Sequence, residues 1–342
     1  DNLKKSMQKT IPTKDFNTAF SYRLGVALPE LPILEASDID LNYLYDILPY
    51  TLCFMQKVES VIIEDIRSTA KTQTYKIWRN KQTENEIIFM VDTDGESLNK
   101  YFAYFSEGDV ATVFQFEDKK ILSFPHEISR IFCGLPLIGT ENIGLPFLLN
   151  SLKFMPTTER EGVEIDPATN KENRALFESS VSLYGKMLNY IATNQLRNAF
   201  NVAHLSRKYN GTQSSNQQFQ NLYMSRYKQH ILTHSIVMSD DNKFVKFSTI
   251  KLPFKESKSD LTLYKNSEKL MKSYLPIECD YQPWFDATDF TIFTEQKYTY
   301  ENFAKDIENK DNIYSLGQTS SEVIAWLFQC AEYFVDCDRF IF

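Results

Sequence analysis

Between Phe132 and Gly162, short apolar runs alternate with glycine and proline, a pattern that admits brief strands and tight turns but no long helix. The block reads Phe132-Cys133-Gly134-Leu135-Pro136-Leu137-Ile138-Gly139-Thr140-Glu141, then Leu145-Pro146-Phe147-Leu148-Leu149-Asn150-Ser151, then Pro156-Thr157-Thr158-Glu159-Arg160-Glu161-Gly162. Its last segment is polar and sets one arginine between two glutamates. A cation is thereby presented from a rigid apolar support, and Arg160 is the first candidate functional residue. The plainer alternative is a surface arginine paired with Glu159 or Glu161, an arrangement that contributes little. A planar guanidinium at the tip of a strand-derived loop is nevertheless suited to reach a phosphate held by another domain.

On either side of this block the periodicities change in order. Leu44, Ile47, Leu48, Leu52 and Met55 recur at helical spacing over 41–57, and 58–64 switches to a strand pattern. Strands are predicted over 72–78, 86–91, 111–116 and 120–124. Asp92-Thr93-Asp94-Gly95 between them reads as a hairpin turn; it resembles an acidic Ca²⁺ or nucleotide loop only superficially, since further spaced ligands are missing.

A helix is predicted over 172–207, where Leu176, Phe177, Val181, Tyr184, Met187, Leu188 and Ile191 recur every three or four residues. Its length suits a connector whose apolar stripe, Leu183, Met187 and Leu188 included, packs on the modules it joins. The polar run 210–218 ends it. Beyond lie a helix over 219–232, extended segments over 235–238 and 244–251, and helices over 301–308 and 320–335, with Trp284, Phe285, Trp326 and Phe334 as core anchors. The expected fold class is α/β in the α+β sense: two α/β modules joined by a long helical connector. The division runs 1–170 for the first module with the arginine loop, 171–210 for the connector and 211–342 for the second, smaller module.

Charge and cysteine usage narrow the function classes. A net charge of −8, with no run of Lys and Arg, offers no broad basic field for a phosphate backbone, so nucleic acid is not an expected partner. Cys53, Cys133, Cys279, Cys330 and Cys337 are odd in number, scattered and mostly apolar in context, which reads as reduced core residues of a cytoplasmic protein. No apolar run approaches the roughly 18 residues of a membrane span, and the N-terminus lacks a signal-peptide core. The chain begins with Asp1 rather than Met and ends on Phe340-Ile341-Phe342, and is expected to be a piece of a longer protein.

Catalytic motifs are sparse. Of the four histidines, His126, His204, His230 and His234, the last two stand at i, i+4, but the Glu of a zinc-protease motif is missing between them and no metal is expected. There is no G-x-S-x-G, no P-loop and no G-x-G-x-x-G, and ten glycines in all are too few for the loops that usually wrap a nucleotide.

Taken in order, Ile47-Leu48-Pro49-Tyr50-Thr51-Leu52-Cys53-Phe54, the strand after it, and the segments 135–141, 146–151 and 156–162 resemble a family of large, sacsin-like, mostly bacterial ATP-binding proteins. In that family a GHKL nucleotide-binding domain, of the type shared with the ninety-kilodalton heat-shock chaperone, precedes this kind of segment. The resemblance spans most of 40–255 and extends more weakly through Ile250-Lys251-Leu252-Pro253-Phe254 to the Trp284 region. It implies a middle, transducer-type region resembling the chaperone's middle domain, in which a loop arginine contacts the ATP γ-phosphate. Arg160 matches that arginine, and Lys153 is a second candidate because related GHKL transducers use a lysine for the same electrostatic task. Thr157, Thr158 and Glu161 are the loop neighbours implied at the contact, Thr157 standing where the chaperone carries an asparagine.

The resemblance further implies that ATP, with Mg²⁺, is bound mainly by a domain absent from this chain. The Asn-bearing helix, the D-x-G-x-G loop and the Gly-rich lid of a GHKL domain do not occur in the sequence. The isolated chain is therefore not expected to be catalytic. Its implied partners are the N-terminal GHKL domain of the same protein and a protein client, in a chaperone-like or bacterial defence role, with no membrane partner. Two readings from other classes stand beside this one: a protein–protein interaction module without a nucleotide role, and a self-contained enzyme of unrecognised type.

Overall fold

The Asp94-Gly95 pair turns the chain through a two-residue hairpin: both residues take left-handed backbone, φ 52° and 93°, and Thr93 pairs with Glu96 across the turn. The carboxylates serve that turn. Asp92 accepts from Gly95 N (3.2 Å) and Ser97 Oγ (2.9 Å), and Asp94 accepts from Thr74 N (2.9 Å). The structure is a computed structural model that describes residues 41–65, 73–158, 160–165, 170–205, 214–239, 242–253, 293–316 and 319–336, with 267, 270, 283 and 284.

Strands β1 (Ser60–Asp65), β2 (Gln73–Gln82), β3 (Glu86–Thr93), β4 (Glu96–Glu107) and β5 (Val110–Glu117) form an antiparallel meander. Short strands β6 (Lys120–Leu122), β7 (Ile131–Cys133), β8 (Leu135–Pro136) and β9 (Leu148–Asn150) extend it to nine strands in the order β1-β2-β3-β4-β5-β9-β7-β8, with β6 also on β5. Within this sheet β7 and β9 run parallel and the remaining pairs antiparallel. The fold is thus mixed α/β with a mostly antiparallel sheet, as the α+β reading expected.

Helices cover both faces. On one, α1 (Leu41–Phe54) sets Tyr50 edge-on to Phe102 (5.7 Å) and Phe124 (5.5 Å) and stacks Tyr45 on Tyr75 (4.5 Å). Ile87, Phe89 and Val91, alternate residues of β3, are buried on this side. On the other face lies α2 (Lys171–Asn194), whose Met187 sulfur accepts from the buried Thr112 hydroxyl (3.4 Å) and whose Tyr190 ring meets Phe105 (5.2 Å).

Outside α2 packs α4 (Ser214–Thr233), through Phe177–Phe219 (4.9 Å), Tyr184–Tyr227 (5.3 Å) and a Ser180–Tyr227 hydroxyl pair (2.6 Å). The remaining elements are α3 (Phe200–Ala203), the hairpin β10 (Ser235–Met238)–β11 (Phe244–Lys246), the parallel pair β12 (Leu252–Pro253)–β13 (Lys297–Tyr298), α5 (Tyr300–Glu308) and α6 (Ser320–Asp336). A single contiguous cluster of buried residues runs from Ile47 to Phe293. Among the described residues no helix is long and apolar enough to cross a membrane.

Three sequence expectations are corrected. The helix predicted over 172–207 stops at Asn194: Gln195 (φ 52°) and Asn198 (φ 61°) are left-handed, and Arg197 exchanges backbone hydrogen bonds with Lys119 and Ile121 beside β6. Leu196, Ala199 and Val202 are buried at three-residue spacing, so helical periodicity persists where the helix does not. β4, twelve residues long, was not predicted. Its first four residues are exposed and Phe102–Phe105 are buried on both faces, so neither half alternates as a half-buried strand should. The extended segment predicted over 244–251 is strand only to Lys246 before a 3₁₀ turn, Phe247–Thr249.

The buried stripe of α2 is as expected: Leu183, Met187 and Leu188 are all inside. Trp284 packs on Phe247 (5.2 Å) and Phe200 (5.8 Å), and Trp326 on Phe303 (6.2 Å), both anchoring cores as expected. Phe285, Phe334, Cys279 and Cys337 carry side chains outside the described residues. Cys53 and Cys330 are buried and free, and Cys133 is half-buried and free.

Gly185 lets α2 and α4 cross closely, because a Cβ there would stand 2.7 Å from the His230 ring. Gly185→Ala is expected to cost roughly 1–3 kcal/mol by overpacking, read by urea denaturation. The cost should shrink in a His230→Ala background; equal costs in both would deny the contact.

Burial, and then the neighbouring His234, hold the His230 imidazole below its usual 6.5. The unfolded chain therefore takes the proton first, and stability is lost as pH falls through the unfolded value towards the lower folded one. Between about pH 7.5 and about pH 5.5 the melting temperature should fall more in the native chain than in His230→Leu. Parallel curves would remove His230 from the pH dependence.

Candidate functional site

The Gly- and Pro-punctuated block builds a rigid corner from polar side chains turned onto backbone. Thr140 Oγ1 accepts from Arg130 N (3.1 Å) and Ile131 N (3.1 Å) and donates to Leu137 O (2.8 Å). Glu141 accepts from Ser129 Oγ (2.7 Å) and Gly139 N (2.7 Å). The parallel β7–β9 pairing is closed by Leu149 N to Arg130 O (2.9 Å) and Ser151 N to Phe132 O (3.2 Å). Gly134 (φ 74°) donates to Asn150 Oδ1 (2.9 Å), and Leu152 lies over it where a Cβ would reach 2.9 Å.

From this corner rises the loop that carries Arg160. Its stems meet at an antiparallel bridge between Pro156 and Val163 and at Glu164 N to Met155 O (3.2 Å). Above them Thr157 N donates to Gly162 O (3.0 Å), Arg160 N to Thr157 O (2.9 Å), and Glu161 N to Thr157 Oγ1 (3.2 Å). Three backbone donors of the tip, those of Thr157, Arg160 and Glu161, are therefore consumed inside the loop.

Arg160 sits at φ 58° and is exposed; among the described residues its guanidinium makes no ion pair or hydrogen bond. A left-handed conformation costs a non-glycine residue about 1–2 kcal/mol. Thr158 and Glu161 are exposed beside it, and Thr157 is half-buried as the neck of the loop. Lys153 belongs to the preceding turn and points elsewhere: its Nζ pairs with Asp109 at 2.9 Å at the β4–β5 turn, and that hydrogen bond raises its pKa. Lys153 and Arg160 thus share one segment but not one direction of contact.

The base of the loop is held by residues that the sequence reading did not single out. Asn170 caps α2, its Oδ1 accepting from Asn173 N (3.1 Å). Asn173 is fully buried, and its amide accepts from Met155 N (2.9 Å) while donating to Met155 O (2.9 Å) and Glu164 O (2.7 Å). The N-x-x-N spacing ahead of an apolar stripe was a visible cap signal for Asn170. Nothing local marks Asn173, because its partners are 18 and 9 residues away.

One buried arginine and one half-buried arginine contrast with Arg160. The guanidinium of Arg130 donates to the carbonyls of Ile128 and Pro125 and lies 5.6 Å from the Phe124 ring. Burial pulls its pKa down to about 10, against Glu141, Tyr50 and Glu127. Arg79 donates to Leu52 O (3.0 Å) and Met55 O (3.4 Å) at the end of α1 and covers Phe89 (5.0 Å). Both are structural.

In the histidine pair His234 Nδ1 donates to His230 O (2.6 Å), and among the described residues no cluster of three metal-ligating side chains occurs. No protein-family model, no curated protein and no solved structure matches the chain. The functional reading consequently rests on the residues themselves.

Arg130→Ala should cost about 1–3 kcal/mol, since it strands the buried Ile128 carbonyl and removes the packing of the guanidinium on Phe124. Arg160→Ala and Lys153→Ala should leave the melting temperature where it is. A large loss in Arg160→Ala would make Arg160 a structural residue like Arg130.

Proposed function

We propose that this chain is the middle, transducer-type region of a cytoplasmic GHKL-type ATP-binding protein of the sacsin-like kind, with a fold related to the middle domain of the ninety-kilodalton heat-shock chaperone. Arg160 reaches the ATP γ-phosphate held in a separate N-terminal domain. One observation carries the reading: an exposed arginine, without an ion pair among the described residues, occupies a strained left-handed position at the tip of a loop whose base is rigid. The fold gains nothing visible from a guanidinium there, and glycine would fit the backbone at lower cost. A planar fork at such a tip suits the equatorial oxygens of a phosphoryl group as charge spreads over them.

The donor set fits part of a phosphate contact and no more. With the Thr157, Arg160 and Glu161 N–H groups spent inside the loop, those three cannot cradle a phosphate, in keeping with ATP and its Mg²⁺ being held mainly by the partner domain. Lys153 remains the second candidate, disfavoured by its pairing with Asp109. Around the base of the loop Leu135, Leu152 and Met155 are exposed at 53%, 76% and 46%, an apolar surface suited to the docked nucleotide-binding domain. The rival reading, an interaction module without a nucleotide role, is favoured by α6, which exposes Ile324, Leu327 and Phe328 along one face.

In the full-length parent protein, Arg160→Ala should lower ATP turnover roughly 10²-fold with nucleotide affinity nearly unchanged, the mark of a lost transition-state donor. Arg160→Lys should restore little, because the fork is gone. Unchanged turnover in Arg160→Ala, with Lys153→Ala inactive, would move the role to Lys153. By calorimetry the isolated chain should bind ATP no more tightly than about 1 mM, a level worth about 4 kcal/mol. Micromolar affinity would favour a complete enzyme.

A further inference from the structure

Within the first turn of α2, Asn173 uses its side chain for the loop rather than for the helix. A primary amide has one carbonyl oxygen and two N–H groups, and here the oxygen takes Met155 N (2.9 Å) while the nitrogen gives to Met155 O (2.9 Å) and Glu164 O (2.7 Å). Met155 and Glu164 are the two stems of the Arg160 loop, and they pair with each other at 3.2 Å. Asn173 itself is fully buried, and it reaches from there to the backbone of two residues whose side chains are exposed.

Other features already account for the shape of the loop and the seat of the helix. The Pro156–Val163 bridge and the Thr157 hydrogen bonds close the loop on itself. Phe177, Tyr184, Met187, Leu188 and Ile191 seat α2. What remains for Asn173 is the join between the two. Leucine, of similar size, would leave Met155 N and Glu164 O without these partners and Met155 O with only its bond from Glu164 N; aspartate would keep the acceptor and lose both donors.

We infer that Asn173 is a positioning residue that locks the Arg160 loop to α2, so that a load on the Arg160 side chain is delivered to the first turn of that helix. The role of the load rests on the phosphate-contacting reading of Arg160; the lock itself does not. Met155 and Asn170 add a softer contact to it, Asn170 Nδ2 lying 3.4 Å from the Met155 sulfur.

Limited trypsin digestion of the 342-residue chain tests the lock without nucleotide, by the rate of cleavage after Arg160 relative to cleavage after the exposed Lys81. Asn173→Leu should raise that ratio at least about tenfold, as an unlocked loop enters the protease from a larger open population. Asn173→Asp, which keeps the acceptor, provides a milder second variant and should raise it as well. The control is a core variant such as Leu188→Val, brought by temperature to the same fraction unfolded, in which the ratio should stay at the native value. Ratios in both Asn173 variants equal to that control would overturn the lock while leaving the Arg160 reading intact. Conversely, a turnover unaffected by Arg160→Ala in the parent protein would remove the phosphate role and leave the lock standing.

Discussion

Helix α2 is apolar toward two partners at once, and the rest of the chain is arranged around that requirement. Toward the sheet it presents Met187 and Tyr190 to Thr112 and Phe105; toward α4 it presents Phe177, Ser180 and Tyr184 to Phe219, Tyr223 and Tyr227. Phe147 and Phe154, on either side of β9, enter the same seam, Phe147 stacked on Tyr184 (4.8 Å) and Phe154 tilted against Phe177 (5.0 Å). Burying each such ring removes a large apolar area from water, worth about 1.5–3 kcal/mol per side chain. The loop corner, the sheet and α4 are thereby tied to one rod, and Gly185 allows the close crossing at its middle.

The chain spends its cations in three ways. Arg79 and Arg130 turn inward to give second hydrogen bonds to carbonyls at the end of α1 and in the turn after β6, and both have their pKa lowered by burial. Lys153, Lys186 and Arg226 pair with Asp109, Glu107 and Glu178 on the surface, where such pairs contribute little. Arg160 belongs to neither group. Its surroundings are built to hold its backbone, through Thr157 and the stems, while its side chain is left to solvent.

The parts legible in the sequence were those fixed by short-range rules. Asp94-Gly95 has a mechanism for turning the chain, β3 alternates as a half-buried strand should, and the stripe of α2 shows its period. β4 was hidden because it is polar at one end and buried on both faces at the other, and its identity comes from pairing with β3 and β5 rather than from its own pattern. The end of α2 was hidden because Leu196, Ala199 and Val202 keep a helix-like spacing while Arg197 docks beside β6. In the candidate site Arg160 could be read from its charge and its place after a strand-forming block. Its left-handed backbone and the Asn173 clamp could not, since they depend on contacts between segments distant in sequence.

If α2 carries the state of the Arg160 loop into the core, nucleotide state should be visible in the exchange of backbone protons along that route. The measurement is hydrogen–deuterium exchange on the full-length parent protein with a non-hydrolysable ATP analogue against ADP, followed across residues 155–165 and the first turns of α2. Slower exchange in both segments with the ATP analogue, lost in Arg160→Ala, is the expected result. Identical exchange in the two nucleotide states, or protection confined to the loop with none in α2, would contradict coupling between the arginine and the helix.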